Sequence, residues 1–438
     1  IHESYNVKLS FSSVEKGNTV LQLPTRKEIV DCFENASYPG DNFYYYLTKN
    51  NGKLFFVPSK AEDLKNITSL IIPQDYPQFP NGYDFGNYYD MFHNNSSIKD
   101  ITVNTDGKNG FEIREATFYN MSGLQNVSID VGDQAITLDG SVFANCKNLK
   151  TVTLKGKNIN LVGSYNFAGC TNLKSIVIDG NLSIRGYQDF AKCNSLNNVQ
   201  CNGDAALTVS NTFTTKETFS EAKDPQITFN GTVSMLPSEQ VSEENLTGVA
   251  TTLKNDNVVS TAKNTGVFVD CGNIGTISLK GSKNDLPSNF VISTTVKNPT
   301  VENPIGKDLT VKNFNIEGSS TLHAGAISNI AITNVSFNQE TKVENNAFVN
   351  DEIGTMYFNT SEVTGQMGMK TSVSEIYYNN TDINKKEEKV TELANLSLDG
   401  VECQNMYFFS PNFNYLKNVS YHNATKVFGY GGKIAKYE

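Results

Sequence analysis

Apolar and polar positions recur along the chain in one order, F-x-x-C-x-x-L-x-x-[VI]-x-[ILV], clearest at Phe143, Cys146, Leu149, Val152 and Leu154. The order returns at Phe167, Cys170, Leu173, Ile176 and Ile178, and again at Phe190, Cys193, Leu196, Val199 and Cys201. Upstream, Met121 and Asn95 stand in the cysteine slot of copies that begin at Phe118 and Phe92. The leucine-type positions fall at Ile98, Leu124, Leu149, Leu173 and Leu196, with spacings of 26, 25, 24 and 23 residues. A period in the twenties implies a short unit that cannot bury its own apolar side and stacks on near-copies until a continuous core forms.

Within each copy the last three positions alternate, which predicts a β-strand sending two residues inward and the one between them outward. One such strand per coil builds a parallel sheet. The Phe and Cys then belong to the return path, and Ile113, Leu138 and Val162, five residues before a Phe, are expected as a second inward anchor. At these residues, and most closely over Val162–Leu173, the chain resembles the BspA-like branch of the leucine-rich repeats. That resemblance implies a leucine-rich repeat solenoid, a right-handed superhelix dominated by strands with a curved parallel sheet on its concave side. It also implies a role in adhesion or host interaction, and it carries no catalytic residues.

Residues 1–60 lack the repeat. Their alternating stretches and the helix-compatible Thr25–Phe33 predict a small α+β unit that caps the first coil. Residues 61–235 form the regular array, opening on a strand that ends at Pro73, with an enlarged Tyr- and Pro-rich connection after it. Residues 236–266 shift to Ser, Glu, Asn and Thr and read as a linker or short helix. Residues 267–438 read as a degenerate array with a C-terminal cap. Its expected strands are anchored at Ile274, Val311, Ile327, Ile353, Val373, Leu393 and Leu416.

Composition narrows the function. Lys+Arg 36 against Asp+Glu 46 gives a net charge of -10 with no polybasic run, which argues against nucleic acid. No apolar run approaches the roughly 20 residues that span a bilayer, so a membrane-embedded chain is not expected. Polarity with few charges suits an exported, extracellular or cell-surface protein, whose signal peptide would be absent from this chain. Seven cysteines would suggest disulfides outside the cell. Three of them hold one repeated slot, however, where a small apolar thiol packs without a partner. No C-x-x-C pair exists and the four histidines are scattered, so neither zinc nor any other cofactor is expected. Asp130, Asp133 and Asp139 lack calcium-loop spacing and read as turn residues. No nucleophile constellation or phosphate loop is found, and the chain reads as non-enzymatic.

The position after each leucine-type residue is Lys99, Gln125, Lys150, Lys174 and Asn197, stacked at the ~4.8 Å strand spacing. This basic stripe on an acidic protein is the candidate binding face. Fifteen N-x-[ST] sequons occur, Asn35, Asn181, Asn230, Asn245, Asn334 and Asn423 among them, as candidate glycosylation sites. The expected role is a binding or adhesion module for an extracellular protein or carbohydrate. A structural subunit of an extracellular filament or surface layer, formed by self-association, is the alternative.

Overall fold

The computed structural model describes residues 2–6, 11–14, 18–23, 25, 27, 43–48, 53–58, 64–75, 92–105, 108–236, 248–261, 265–295, 306–360, 362–379, 396–413, 419–420 and 426–432. They fall into two compact units, residues 1–198 with 239–262, and residues 199–238 with 263–438.

In the first unit the alternating segments are parallel strands in one ladder. Ser69–Pro73, Asp100–Asn104, Asn126–Asp130, Thr151–Leu161 and Ser175–Ile184 pair in sequence. Val127, Val152 and Ile176 share one inward rung, and Ile129, Leu154 and Ile178 the next. All six are buried. Asn18–Gln22 continues this ladder beyond Ser69–Pro73 and pairs antiparallel with Phe11–Val14. His2–Asn6, Phe43–Thr48 and Lys53–Pro58 form a separate antiparallel sheet. Most of Thr25–Phe33, and residues 76–91 of the enlarged connection, lie outside the described residues.

The return path explains the Phe and Cys slots. Phe92, Phe118, Phe143, Phe167 and Phe190 stack ring on ring, with centroids 5.5, 5.5, 5.5 and 5.4 Å apart. The Cys146, Cys170 and Cys193 thiols each reach back to the carbonyl of the Phe one coil earlier, Phe118, Phe143 and Phe167, at 3.2, 3.1 and 3.3 Å. The slot therefore selects a small apolar side chain that also carries a weak donor. All six described cysteines are free and buried, and burial pushes the Cys146 thiol up to about 12. Around Phe118, Phe143, Phe167 and Phe190 two residues four apart take positive φ, such as Ser141 (46°) and Asn145 (56°), or Tyr165 (65°) and Gly169 (79°). Alternate backbone N–H groups of this bend thereby face the next coil, as in Ser141 to Ser164, Phe143 to Asn166 and Asn145 to Ala168. These coil-to-coil bonds offset the cost of left-handed backbone, about 1–2 kcal/mol per non-glycine residue.

One expected anchor is wrong. Ile113 and Leu138 are buried, but Val162 is 43 % exposed and Leu161 takes its place, in register with Leu138. The corner preceding Phe167 holds one more residue than that preceding Phe143, so the inward position lies six residues before the Phe rather than five.

Among the described residues of 236–266 the chain forms one helix, α1 (Gly248–Asn255). Ala250, Leu253, Val258 and Val259 bury against Ala116, Ala144, Ala168 and Ala191, with Tyr119 and Tyr165 beside them. Alanine at these bends lets the helix lie close to the coils. Gln188 fixes the segment's end, accepting from Ser260 N at 2.7 Å and donating to Ser260 O at 2.9 Å.

In the second unit each regular coil has three sides. The main ladder contains Gln226–Phe229, Ile274–Leu279, Thr310–Ile316, Ala331–Phe337, Glu352–Phe358, Thr371–Asn379, Val401–Phe413 and Lys426–Gly432. A second ladder starts at Lys283–Leu286 and a third at Phe213–Thr214. Three expected strands are displaced. The ladder uses Ile332, Val335 and Phe337, in register with Val311, Phe314 and Ile316, whereas Ile327 belongs to the third ladder. Cys403 and Met406 follow Val373 and Ile376, and Leu396 lies in the second ladder, paired with Val419 of the strand expected around Leu416, while Val427 follows Met406 in the main ladder. In each place an apolar triplet from another side of the coil has the strand spacing, and only coil-to-coil register separates the alternatives. Leu393, Leu416 and Tyr421 lie outside the described residues.

Candidate functional site

All five residues of the predicted stripe occupy successive rungs of the first unit. Gln125 N donates to Lys99 O at 2.7 Å, Lys150 N to Gln125 O at 2.7 Å, Lys174 N to Lys150 O at 2.9 Å and Asn197 N to Lys174 O at 2.9 Å. They lie in the turn that leads into each strand, one residue before it begins. Gln125 is half-buried and the other four are exposed. None of the three lysines is ion-paired with a described carboxylate, so their charges are not neutralised by a nearby partner.

The adjoining outward column is Asp100, Asn126, Thr151, Ser175 and Asn198, and its side chains are already bonded to one another. Asn126 Nδ2 donates to Asp100 Oδ1 at 2.9 Å, Thr151 Oγ1 to Asn126 Oδ1 at 2.7 Å and Asn198 Nδ2 to Ser175 Oγ at 3.0 Å. These bonds hold the polar face in one arrangement before any ligand arrives. The first unit thus presents a preformed polar strip, with one carboxylate at its Asp100 end, flanked by a row that carries the ammonium groups of Lys99, Lys150 and Lys174.

On the second unit's main sheet, Asn313 and Asn334 continue a similar ladder, Asn334 Nδ2 donating to Asn313 Oδ1 at 3.0 Å. Beyond it stand Tyr357, Tyr377 and Tyr407, stacked outward at 5.5 and 4.6 Å. A hydrogen bond from the Tyr377 hydroxyl to Glu375 Oε2 at 3.0 Å raises that phenol's pKa. The sequence reading missed this column. Its signal is three apolar residues in a row, as in Met356-Tyr357-Phe358, because strand alternation must turn the middle one outward.

Of the candidate glycosylation positions, Asn181 and Asn230 are exposed, whereas Asn334 is half-buried and committed to Asn313. Asn35, Asn245 and Asn423 lie outside the described residues. Asp130 Oδ1 accepts from Gly132 N at 2.9 Å, a turn contact. Burial and a hydrogen bond with Glu112 hold the Asp139 carboxyl up at about 8. On the second ladder His323 bridges coils, contacting Asp285 through Nε2 and Glu344 Oε2 through Nδ1 at 2.6 Å. Burial pulls its pKa down, but the two carboxylates outweigh that and raise it. No group of His, Cys, Asp and Glu among the described residues could hold a metal ion. No helix among them is long and apolar enough to cross a membrane.

Residues 87–218 match the sequence family described as BspA type leucine rich repeat region, in six copies. No curated protein matches the chain. Two crystal structures are similar over most of the length. One is a leucine-rich repeat protein from Bacteroides ovatus, 14 % identical, covering 90 % of both chains with a TM-score of 0.34. The other is a leucine rich cell surface protein from Faecalibacterium prausnitzii, 14 % identical, covering 90 % of this chain and 94 % of that one with a TM-score of 0.31.

Proposed function

Residues 87–218 are leucine-rich repeats of the BspA type, and from that premise we propose that the chain is a non-catalytic, cell-surface or secreted binding module. The observation that carries this reading is the stripe of Lys99, Gln125, Lys150 and Lys174 on consecutive rungs, three of the four cationic, beside a polar column already locked by its own hydrogen bonds. A surface ordered in advance loses little side-chain entropy when it binds. Many weak contacts along such a face then add up, and an anionic glycan or an acidic protein segment suits the exposed ammonium groups. The net charge of -10 makes the attraction local, so binding should weaken as salt rises.

The test is Lys150→Glu combined with Lys174→Glu, both exposed and outside the core. Affinity for heparin, measured by calorimetry at low salt, should drop at least about tenfold, the equivalent of two surface charge pairs. The melting temperature should not change. Unchanged affinity would remove the stripe from the binding site.

A further inference from the structure

The outward face of the second unit's main sheet changes character over three successive coils. Their strands, Glu352–Phe358, Thr371–Asn379 and Val401–Phe413, contain no Lys or Arg. Glu352, Ser372 and Glu402 share one outward column, and Thr355, Glu375 and Asn405 another. Tyr357, Tyr377 and Tyr407 make the third. A lysine stands on either side of the stretch, Lys312 two rungs before Glu352 and Lys426 on the rung after Asn405. The acidic part of the sheet is therefore three coils long.

None of the three glutamates is ion-paired among the described residues. Two of them are nonetheless held in place. Ser372 Oγ donates to Glu352 Oε2 at 2.8 Å, and the Tyr377 hydroxyl donates to Glu375 Oε2 at 3.0 Å. Glu402 is exposed. Glu352 and Glu402 stand two rungs apart, ~9.6 Å at the usual strand spacing. A polyproline II segment returns a side chain to the same side every third residue, ~9.3 Å along its axis.

The tyrosines form a ridge beside these carboxylates. Their rings lie 5.5 and 4.6 Å apart with planes inclined by 19° and 11°, so the faces are turned to one another. Only Tyr357 has a small residue next to it in register, Ser336 on the preceding rung. Gly354, Thr355 and Ser374 lie between the ridge and the Glu352 column, and their small side chains leave a lower strip along it.

A sugar chain stacks its C–H faces on a row of open rings, and this ridge offers one. Unpaired carboxylates call for a cation instead. We propose that this face binds an extended basic segment of a partner protein, with its arginine or lysine groups on Glu352, Glu375 and Glu402 and its flank against the tyrosine ridge. Extended segments dock on aromatic residues in this way because they are already ordered before binding. The site takes charge opposite to that bound by the lysine stripe and does not depend on it.

Three probes titrated against the full chain at low salt, by saturation-transfer NMR, test the proposal. They are the blocked octapeptide PPRPPRPP, its analogue with citrulline for arginine, and maltohexaose as a neutral sugar. The arginine peptide should bind, with the citrulline analogue at least about tenfold weaker. Glu352→Gln combined with Glu402→Gln should weaken the arginine peptide about tenfold, the equivalent of two surface charge pairs. Glu340→Gln combined with Glu362→Gln removes the same charge from exposed positions beside the second ladder and should leave its affinity unchanged. No binding of the arginine peptide would overturn the proposal. So would equal losses in the two double variants, which would reduce the effect to general attraction by a chain of net charge -10. Maltohexaose binding that Tyr357→Ser abolishes, with the arginine peptide unaffected by that change, would overturn it as well by making the ridge a sugar platform.

Discussion

Replacing Phe167 with alanine should destabilise the first unit by about 3–5 kcal/mol, the range for emptying a buried aromatic site. Phe167 is fully buried and its ring is stacked between Phe143 and Phe190 at 5.5 and 5.4 Å. Its backbone also binds the following coil twice, its N–H donating to Asp189 O at 2.8 Å and its carbonyl accepting the Cys193 thiol at 3.3 Å. In a stacked array each coil contacts only the coils beside it, so the loss falls on two interfaces at once and the surrounding Phe column cannot close the gap by sliding. Val162→Ala, at a position 43 % exposed, supplies the contrast and should stay within about 0.5 kcal/mol. Urea denaturation of the two variants measures the difference. A Phe167→Ala loss no larger than that of Val162→Ala would mean that the aromatic column does not hold the coils together.

Raising the pH from about 4 to 7 should weaken the first unit, the reverse of what a salt-bridged carboxylate does. Asp189 is fully buried, and its Oδ1 accepts from Asn166 N at 3.0 Å and from Asn166 Nδ2 at 2.9 Å. Its Oδ2 has no partner. Burial holds the carboxyl up at about 7, against 3.8 for an ordinary aspartate, and the two bonds from Asn166 offset only part of that. The unfolded chain therefore loses this proton before the folded one does. The Asp189 contribution is most favourable below the unfolded pKa, shrinks as pH climbs toward 7, and is constant above it. A separation of about three pH units corresponds to a total on the order of 4 kcal/mol. Asp189→Asn keeps an acceptor for Asn166 and cannot ionise, so its stability should fall less steeply than the parent's between pH 4 and 7, with Asp139, also raised by burial, supplying part of the slope that remains. Identical slopes in the two proteins would show that Asp189 does not carry this effect. Asp351 in the second unit is raised by burial in the same way, which makes its Asn variant an independent check on the sign.

The regular half of the fold was legible because Phe, Cys, Leu and the strand pair each satisfy a separate physical demand in every coil. Ring stacking selects Phe143 and Phe167, a carbonyl one coil back selects Cys170, and alternation selects Ile176 and Ile178. Where a corner changes length, spacing alone misplaces the anchor, as at Val162 against Leu161. In the second unit three ladders per coil supply three sets of apolar residues, so Ile327 and Leu396 resemble main-ladder residues until their partners are known. The lysine stripe could be read because it depends only on repeat register. The Tyr357 column could not, since it depends on which face is outward. The docking of α1 depends on the small size of Ala144, Ala168 and Ala191, residues that carry no helix signal of their own.

Light scattering on the purified chain over a wide range of concentration bears most directly on a role as a binding module. A single species of 48.2 kDa at every concentration is expected, with its strand face open to ligand. Oligomers that grow with concentration would instead make the chain a subunit of an extracellular assembly, its exposed faces serving contacts between copies.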